Sequence, residues 1–357
     1  MIALYIGSTK SYSGKSLVGL GLALKMQSDG FSVGYMKPFG RVPTLEDGIL
    51  TDGDVLFMRK TLHLKDRLED LCPVVYSQDL MAETLRGRTG QHKKKVLKAF
   101  SAVSKDKDVV LIGGGRDMDD GRMLGISGVT LAGELDAGVI VVDPFGGEFC
   151  TDCLLTLKEE LGGRLLGAVI NRVPLDGIEH LVALAGPYLK KKGIPLFGVL
   201  PTDKILGAVT IRQMTETLGG RVLCCEERLD ELVENFSIGA MDVDSAIKYF
   251  RRTRNKAVIT GGHRSDIQLA ALETSTRCLV LTGDMLPNDL IIAKARLSGV
   301  PIIAVKQDTL STVEHLESLL GKARIREGIK TTRAIELMRD HFNFGLLYSK
   351  LGLNVKR

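Results

Sequence analysis

The chain has no tryptophan, and aromatic residues of all kinds make up 5% of its 357 positions. Proteins that grip nucleic acid through basic patches combine them with stacking rings. Without those rings, the two densest basic runs, His92-Lys93-Lys94-Lys95 and Lys190-Lys191-Lys192, read as solvated helix faces, and no nucleic-acid partner is expected. Long apolar runs are missing as well. None reaches the roughly 18 residues that a membrane-crossing helix needs, so no membrane partner is expected either. The first residues enter strand-like sequence directly, with neither a basic leader nor a cleavage site, and the expected location is the cytoplasm. Cysteine is scarce: of six, Cys150-Thr151-Asp152-Cys153 is a lone pair at metal-ligand spacing, and Cys224-Cys225 are adjacent. A structural zinc site needs four ligands, so all six are expected to be small reduced thiols. Charge of one sign is not in excess, since 48 Lys+Arg interleave with 43 Asp+Glu for a net charge of +5.

What the chain does have is glycine, forty of them, set between short Val/Ile/Leu runs and helical stretches. Its length suits two domains. Strands are expected at 2–7, 32–37, 109–112, 139–143, 166–171, 196–200 and 222–225, with helices at 16–28, 90–104, 152–161 and 178–192 between them. Continuous apolar strands alternating with helices belong to a parallel sheet covered on both faces. The fold class is therefore α/β: a doubly wound, mostly parallel domain over 1–225, then a smaller α/β domain over 226–328. In the second domain "RLDELVENFSIGAM" reads as a helix, "NKAVITGG", "CLVLTGD" and "VPIIAVK" as strands, and "SDIQLAALET", "PNDLIIAKARLSG" and "LSTVEHLESLLG" as helices. Residues 329–357 read as an amphipathic helical tail that docks on the body or on a partner.

The stretch "ALYIGSTKSYSGKSLVGLGLAL" carries the chemistry. A strand ends at Gly7, a small and polar loop follows, and Gly14-Lys15-Ser16 opens a helix. Such a junction offers free backbone N–H groups and the positive end of a helix dipole to phosphate oxygens. Thr9, Lys10 and Ser13 line the loop, Gly14 allows close approach, Lys15 reaches the β- and γ-phosphates, and Ser16 sits on the metal side. The strict phosphate-loop pattern has glycine where Thr9 stands.

Four further motifs make residues 1–225 resemble the dethiobiotin-synthetase-like P-loop family. They are "VGYMKPFG", "TDGDVLFMRK", "LLGAVINRV" and "IPLFGVLPTD", in that family's order. The resemblance implies ATP and Mg²⁺ as cofactors, with Lys37 as the second-strand lysine and Asp54 beside Ser16 at the metal. It implies Asn171 at the adenine ring, with Pro201 and Asp203 in the base-side loop. The stretches "VITGGHRSDIQLAALET" and "CLVLTGDMLPNDLIIAKARLSGVPIIAVKQDTLSTVEHL" resemble the DRTGG domain. In this order the two domains look like the N-terminal, regulatory part of long bacterial phosphate acetyltransferases. No acetyltransferase domain is recognised in these residues, so acetyl transfer by this chain alone is not expected.

Several positions depart from those patterns. Gly113 stands where the synthetases place a metal-binding glutamate, with Asp117, Asp119 and Asp120 following in the loop. His263 and Asp284 replace the Asp and Gly of the DRTGG letters. Lys10 precedes Lys15 by five residues, the spacing of the lysine that reaches across the dimer in partition-type ATPases. In the second domain, Gly261, Gly262, Arg264 and Asp266, with Thr282 and Gly283 after the next strand, form either an anion cradle for a metabolite effector or tight turns with an Asp-capped helix. The principal expectation is an ATP-binding regulatory protein with weak or no hydrolysis, linked to acetyl-phosphate metabolism, with an acetate-metabolism enzyme and a second copy of the chain as partners. The alternatives are an ATP-dependent carboxylate-activating ligase or amidase, using Lys15 and Lys37, and a nucleotide-dependent dimeric switch ATPase.

Overall fold

The computed structural model describes residues 1–88, 90–146, 151–319 and 328–355. Cys150 of the CxxC pair lies outside the described residues. Two compact units emerge: residues 1–202 together with 325–357, and residues 203–324. No helix among the described residues is long and apolar enough to cross a membrane.

The first unit is built on six parallel strands in the order Leu196–Pro201, Leu165–Val173, Gly138–Pro144, Ile2–Ser8, Val109–Gly113, Val33–Met36. Val109, Val110, Leu111 and Ile112 are fully buried, as expected of a strand with helices on both faces. Ile2–Ser8 lies between Val109–Gly113 and Gly138–Pro144, the place where the chain changes the side on which it adds strands. In open α/β sheets, the crevice beyond the carboxyl ends at such a switch point is where ligands sit. The helix Lys15–Ser28 starts there, and Leu17 through Ala23 are buried without interruption. A helix so apolar all round must be covered on every side. The sheet covers one face, and the C-terminal helix Gly328–His341 covers the other: a Cβ at Gly21 would stand 2.3 Å from Met338 Cγ. Phe342 stacks on Phe197 with ring centroids 5.9 Å apart, and Tyr348 Oη donates to Asp29 Oδ2 at 2.7 Å in the turn after that helix. The tail is thus an integral layer of the first unit rather than an appendage.

The second unit holds a five-stranded sheet in the order Arg221–Cys224, Ile302–Ala304, Thr276–Thr282, Lys256–Gly261, Asn235–Ile238, parallel except for the first strand. Side-chain alternation splits its core into two layers. Ala257, Ile259, Cys278, Val280 and Ile303 face the helices Ile211–Leu218 and Thr309–Leu319. Val258, Leu279, Leu281 and Ile302 face Val243–Arg252, Ser265–Leu272 and Asp289–Ser298.

Two sequence expectations are corrected here. The strand expected at 222–225 as part of the first domain pairs antiparallel with Ile302–Ala304 of the second sheet, because its free edge needs a partner and that sheet supplies one. The stretch 228–241 is not a helix. Leu229, Leu232, Val233 and Phe236 have helical spacing, but Leu232–Val233 pairs with Val209–Thr210 and Asn235–Ile238 adds an edge strand beside Lys256–Gly261. Tertiary pairing outweighs the local period there.

Candidate functional site

Chain reversal above Ile2–Ser8 is made by two left-handed residues, Tyr12 (φ 57°) and Gly14 (φ 98°). Gly14 must be glycine for a second reason: a Cβ there would lie 2.1 Å from Asn171 Nδ2. Asn171, at the end of Leu165–Val173, is buried and donates from Nδ2 to the Ser13 carbonyl at 2.8 Å, while its Oδ1 accepts from the Arg172 N–H at 2.9 Å. The residue that the resemblance assigns to the adenine therefore latches the phosphate loop from the next strand but one.

Lys15 Nζ donates to Ser8 Oγ at 2.7 Å and to the Arg116 carbonyl at 3.0 Å. No carboxylate among the described residues hydrogen-bonds this ammonium, and burial, then the like charge of Lys37, pull its pKa down to about 8 against the opposing pulls of Asp117, Asp120 and Asp54. Thr9 hydrogen-bonds Asp143 at the end of Gly138–Pro144, so the residue standing at the strict pattern's first glycine ties the loop sideways to its neighbouring strand. Burial raises the Asp143 carboxyl against the opposing pulls of Thr9 and Lys10. Lys10 and Ser16 are exposed.

Beside the loop, Lys37 is buried between two carboxylates, Asp52 Oδ1 at 3.0 Å and Asp54 Oδ2 at 2.8 Å. Burial alone would lower its pKa; Asp54 and Asp52 outweigh it and the ammonium is held above its ordinary range. Asp52 is fully saturated, since its other oxygen takes the N–H groups of Arg41 at 2.7 Å and Val42 at 2.9 Å. Tyr35, its hydroxyl pushed well above the usual range by burial and then by Asp54 and Asp52, fills the space next to Gly113. A Cβ at Gly113 would be 2.6 Å from Tyr35 Oη.

The aspartates after Gly115 are engaged as well. Asp117 accepts the N–H groups of Asp119 at 3.0 Å and Asp120 at 2.9 Å, Asp119 takes Arg122 at 2.6 Å, and Asp120 accepts the Arg116 N–H at 2.8 Å. Arg41, whose Nε lies 3.6 Å from Asp120, is stacked 4.6 Å from the Tyr76 ring centroid and 5.1 Å from that of Phe39. These residues line a cleft of about 610 Å³. A divalent cation fits this donor set poorly. Magnesium is held by one or two carboxylates together with phosphate oxygens and water. Here Gly113 offers none, Asp54 is already paired, and among the described residues no group of three His, Cys, Asp or Glu could hold a metal.

Of the expected nucleotide residues, the structure joins Ser13, Gly14, Lys15 and Asn171 in one cradle, with Thr9 beside it. Pro201 ends its strand in the first unit; Asp203 belongs to the second, where Oδ1 accepts the Leu206 N–H at 2.9 Å and caps Lys204–Gly207. In the second unit Arg264 bonds the Met241 carbonyl and both oxygens of Asp266, each at 3.0 Å, so Asp266 does not cap Ser265–Leu272. A Cβ at Gly262 would be 2.2 Å from the Met285 carbonyl oxygen, and Thr282 Oγ1 pairs with Thr309 Oγ1 at 2.9 Å. Gly283 (φ 84°) has open space around its Cα. The sequence reading missed Ser8, Tyr35, Asp52, Arg116, Asp143 and the fully buried Gln268, which donates to the Gly261 and Gly262 carbonyls. Arg116 acts through its carbonyl, which no residue type advertises; Asp52 had a signal, standing two residues before Asp54.

A family profile described as an AAA domain matches residues 3–210, more than half of the chain. The chain belongs to that AAA-domain P-loop family. A second profile, described as a DRTGG domain, matches residues 213–319. The phosphate acetyltransferase of Nitratidesulfovibrio vulgaris is 29% identical over 373 residues, covering 98% of this chain and 51% of that protein. The Pseudomonas putida enzyme of the same name is 23% identical over 375 residues, covering 99% and 52%. The chain thus spans about half the length of the curated relatives it matches. A solved nucleotide-binding protein from Archaeoglobus fulgidus, in complex with ADP, overlaps 57% of this chain and 82% of that one, with 18% identity and a TM-score of 0.33. The resemblance expected from the motif order is borne out by the two profiles and the two phosphate acetyltransferases.

Proposed function

We propose that the chain is an ATP-binding regulatory protein whose phosphate loop binds nucleotide with little or no hydrolysis. One observation carries this reading: a half-buried Lys15 ammonium, hydrogen-bonded to a hydroxyl and a carbonyl rather than to a carboxylate, stands at the mouth of a glycine turn that Asn171 holds in shape. Such a cation, with the free N–H groups of a helix start, suits the β- and γ-phosphates. Slow turnover follows from Gly113, which leaves that side of the loop without the acid that phosphoryl transfer uses for charge neutralisation. The similarity to phosphate acetyltransferases supports a link to acetyl-phosphate metabolism, with the DRTGG domain as the part that senses a metabolite or meets an enzyme of that chemistry.

The test is calorimetric titration with ATP, ADP and GTP on wild type and Lys15→Ala, run beside a phosphate-release assay. ATP binding that weakens at least tenfold in Lys15→Ala, with negligible release, is the expected result. Sustained release of phosphate would turn the reading towards a ligase or amidase.

A further inference from the structure

In the first unit the one carboxylate left on the metal side of the loop, Asp54, is bound by a lysine. Its partner Lys37 Nζ lies 2.8 Å from Asp54 Oδ2 and 3.0 Å from Asp52 Oδ1, and its side chain is 8% exposed. A cation at Asp54 would have to bind beside the Lys37 ammonium, 2.8 Å from Asp54 Oδ2, and share a carboxylate whose charge that ammonium already compensates. The neighbouring strand cannot compensate. Gly113 carries no side chain, and Tyr35 Oη stands 2.6 Å from where its Cβ would be, so the volume that an acidic residue at 113 would enter is filled by a phenol. The three aspartates beyond Gly115 hold backbone N–H groups and arginines of their own loop. Of the carboxylates near the loop, Asp52, Asp54, Asp117, Asp119 and Asp120 thus have a cation or N–H partner inside the protein, and Asp143, across the loop, takes the Thr9 hydroxyl.

We propose that the phosphate site binds its nucleotide without a divalent cation, Lys15 and the backbone N–H groups of the helix start meeting the phosphate charge while Lys37 occupies the carboxylate a metal would use. The proposal rests on the reading of the loop as a nucleotide site. Lys37 is compensated by Asp52 and Asp54, so its part is to occupy the metal-side carboxylate rather than to face the phosphate.

The experiment measures ATP affinity calorimetrically in magnesium and in EDTA. Dissociation constants agreeing within about twofold are expected; tenfold or more tightening by magnesium overturns the proposal and leaves the nucleotide reading standing. Absence of ATP binding in both conditions overturns the nucleotide reading, and the proposal with it. The double variant Tyr35→Ala/Gly113→Glu rebuilds the missing carboxylate in the vacated space. It is expected to bind ATP at least tenfold more tightly with magnesium than in EDTA, and to immobilise Mn²⁺ in electron paramagnetic resonance where wild type does not. A correctly folded double variant that stays indifferent to both metals contradicts the assignment of the loss to position 113. Should that variant fail to fold, the wild-type comparison alone still decides.

Discussion

At the scale of single residues, the phosphate loop depends on a glycine that two constraints require at once. Gly14 has φ 98°, and its missing Cβ leaves room for the Asn171 amide 2.1 Å from where that atom would be. Gly14→Ala would combine left-handed strain of about 1–3 kcal/mol with expulsion of the latch that holds the Ser13 carbonyl. ATP affinity is expected to fall at least tenfold by titration, with the circular dichroism spectrum unchanged; wild-type affinity in this variant would mean the latch has no part in binding. Asp143 makes a contrasting case. Its carboxylate, tied to Thr9 at the loop, adds negative charge where phosphate would enter, so Asp143→Asn, which keeps the hydrogen bond and removes the charge, is expected to tighten ATP binding severalfold.

At the scale of elements, the strand Lys256–Gly261 begins with a lysine that is 0% exposed. Its Nζ donates to Thr274 Oγ1 at 3.0 Å and to the Ser275 carbonyl at 3.1 Å, and lies 5.5 Å from the Phe250 ring centroid, with no carboxylate among these contacts. Burial pulls its pKa down from 10.5 to about 8. Between those values the unfolded chain holds the proton more tightly than the folded one, so folding stability rises with pH across the window and is lowest below pH 8. The slope is at most about 1.4 kcal/mol per pH unit. Urea unfolding of wild type and Lys256→Met at pH 8 and pH 10 isolates it: wild type should gain on the variant as pH rises, and a constant gap between the two would refute the assignment.

At the scale of the whole molecule, the second unit interrupts the first. The chain leaves after Leu196–Pro201 and returns as Gly328–His341 to cover the helix that starts at Lys15. A fragment of residues 203–319 contains both helix layers and all five strands, and is expected to melt as one cooperative transition in calorimetry. A fragment of 226–328, cut where sequence composition shifts, lacks Arg221–Cys224 and Ile211–Leu218 and should not. Equal behaviour of the two would move the boundary back to 225. Removal of residues 328–357 is expected to lower the melting temperature of the first unit, because it strips Met338 from the helix surface at Gly21 and Phe342 from the buried Phe197.

Local sequence determined a good deal of this protein. Apolar runs 109–112 and 139–143 announce strands covered on both faces, and the Gly14-Lys15-Ser16 junction announces a phosphate loop, because periodicity and glycine geometry act over a few residues. The pairings, by contrast, are decided in three dimensions. Arg221–Cys224 has a strand's composition in either unit, and only the free edge of Ile302–Ala304 assigns it to one. Residues 228–241 satisfy a helical period, yet two sheet edges claim them. The same holds at the site. Lysine and aspartate at 37 and 54 are visible as letters, but only the folded chain brings Lys37 between Asp52 and Asp54 and puts Tyr35 into the space beside Gly113, since those contacts join residues that nothing in the linear order brings together.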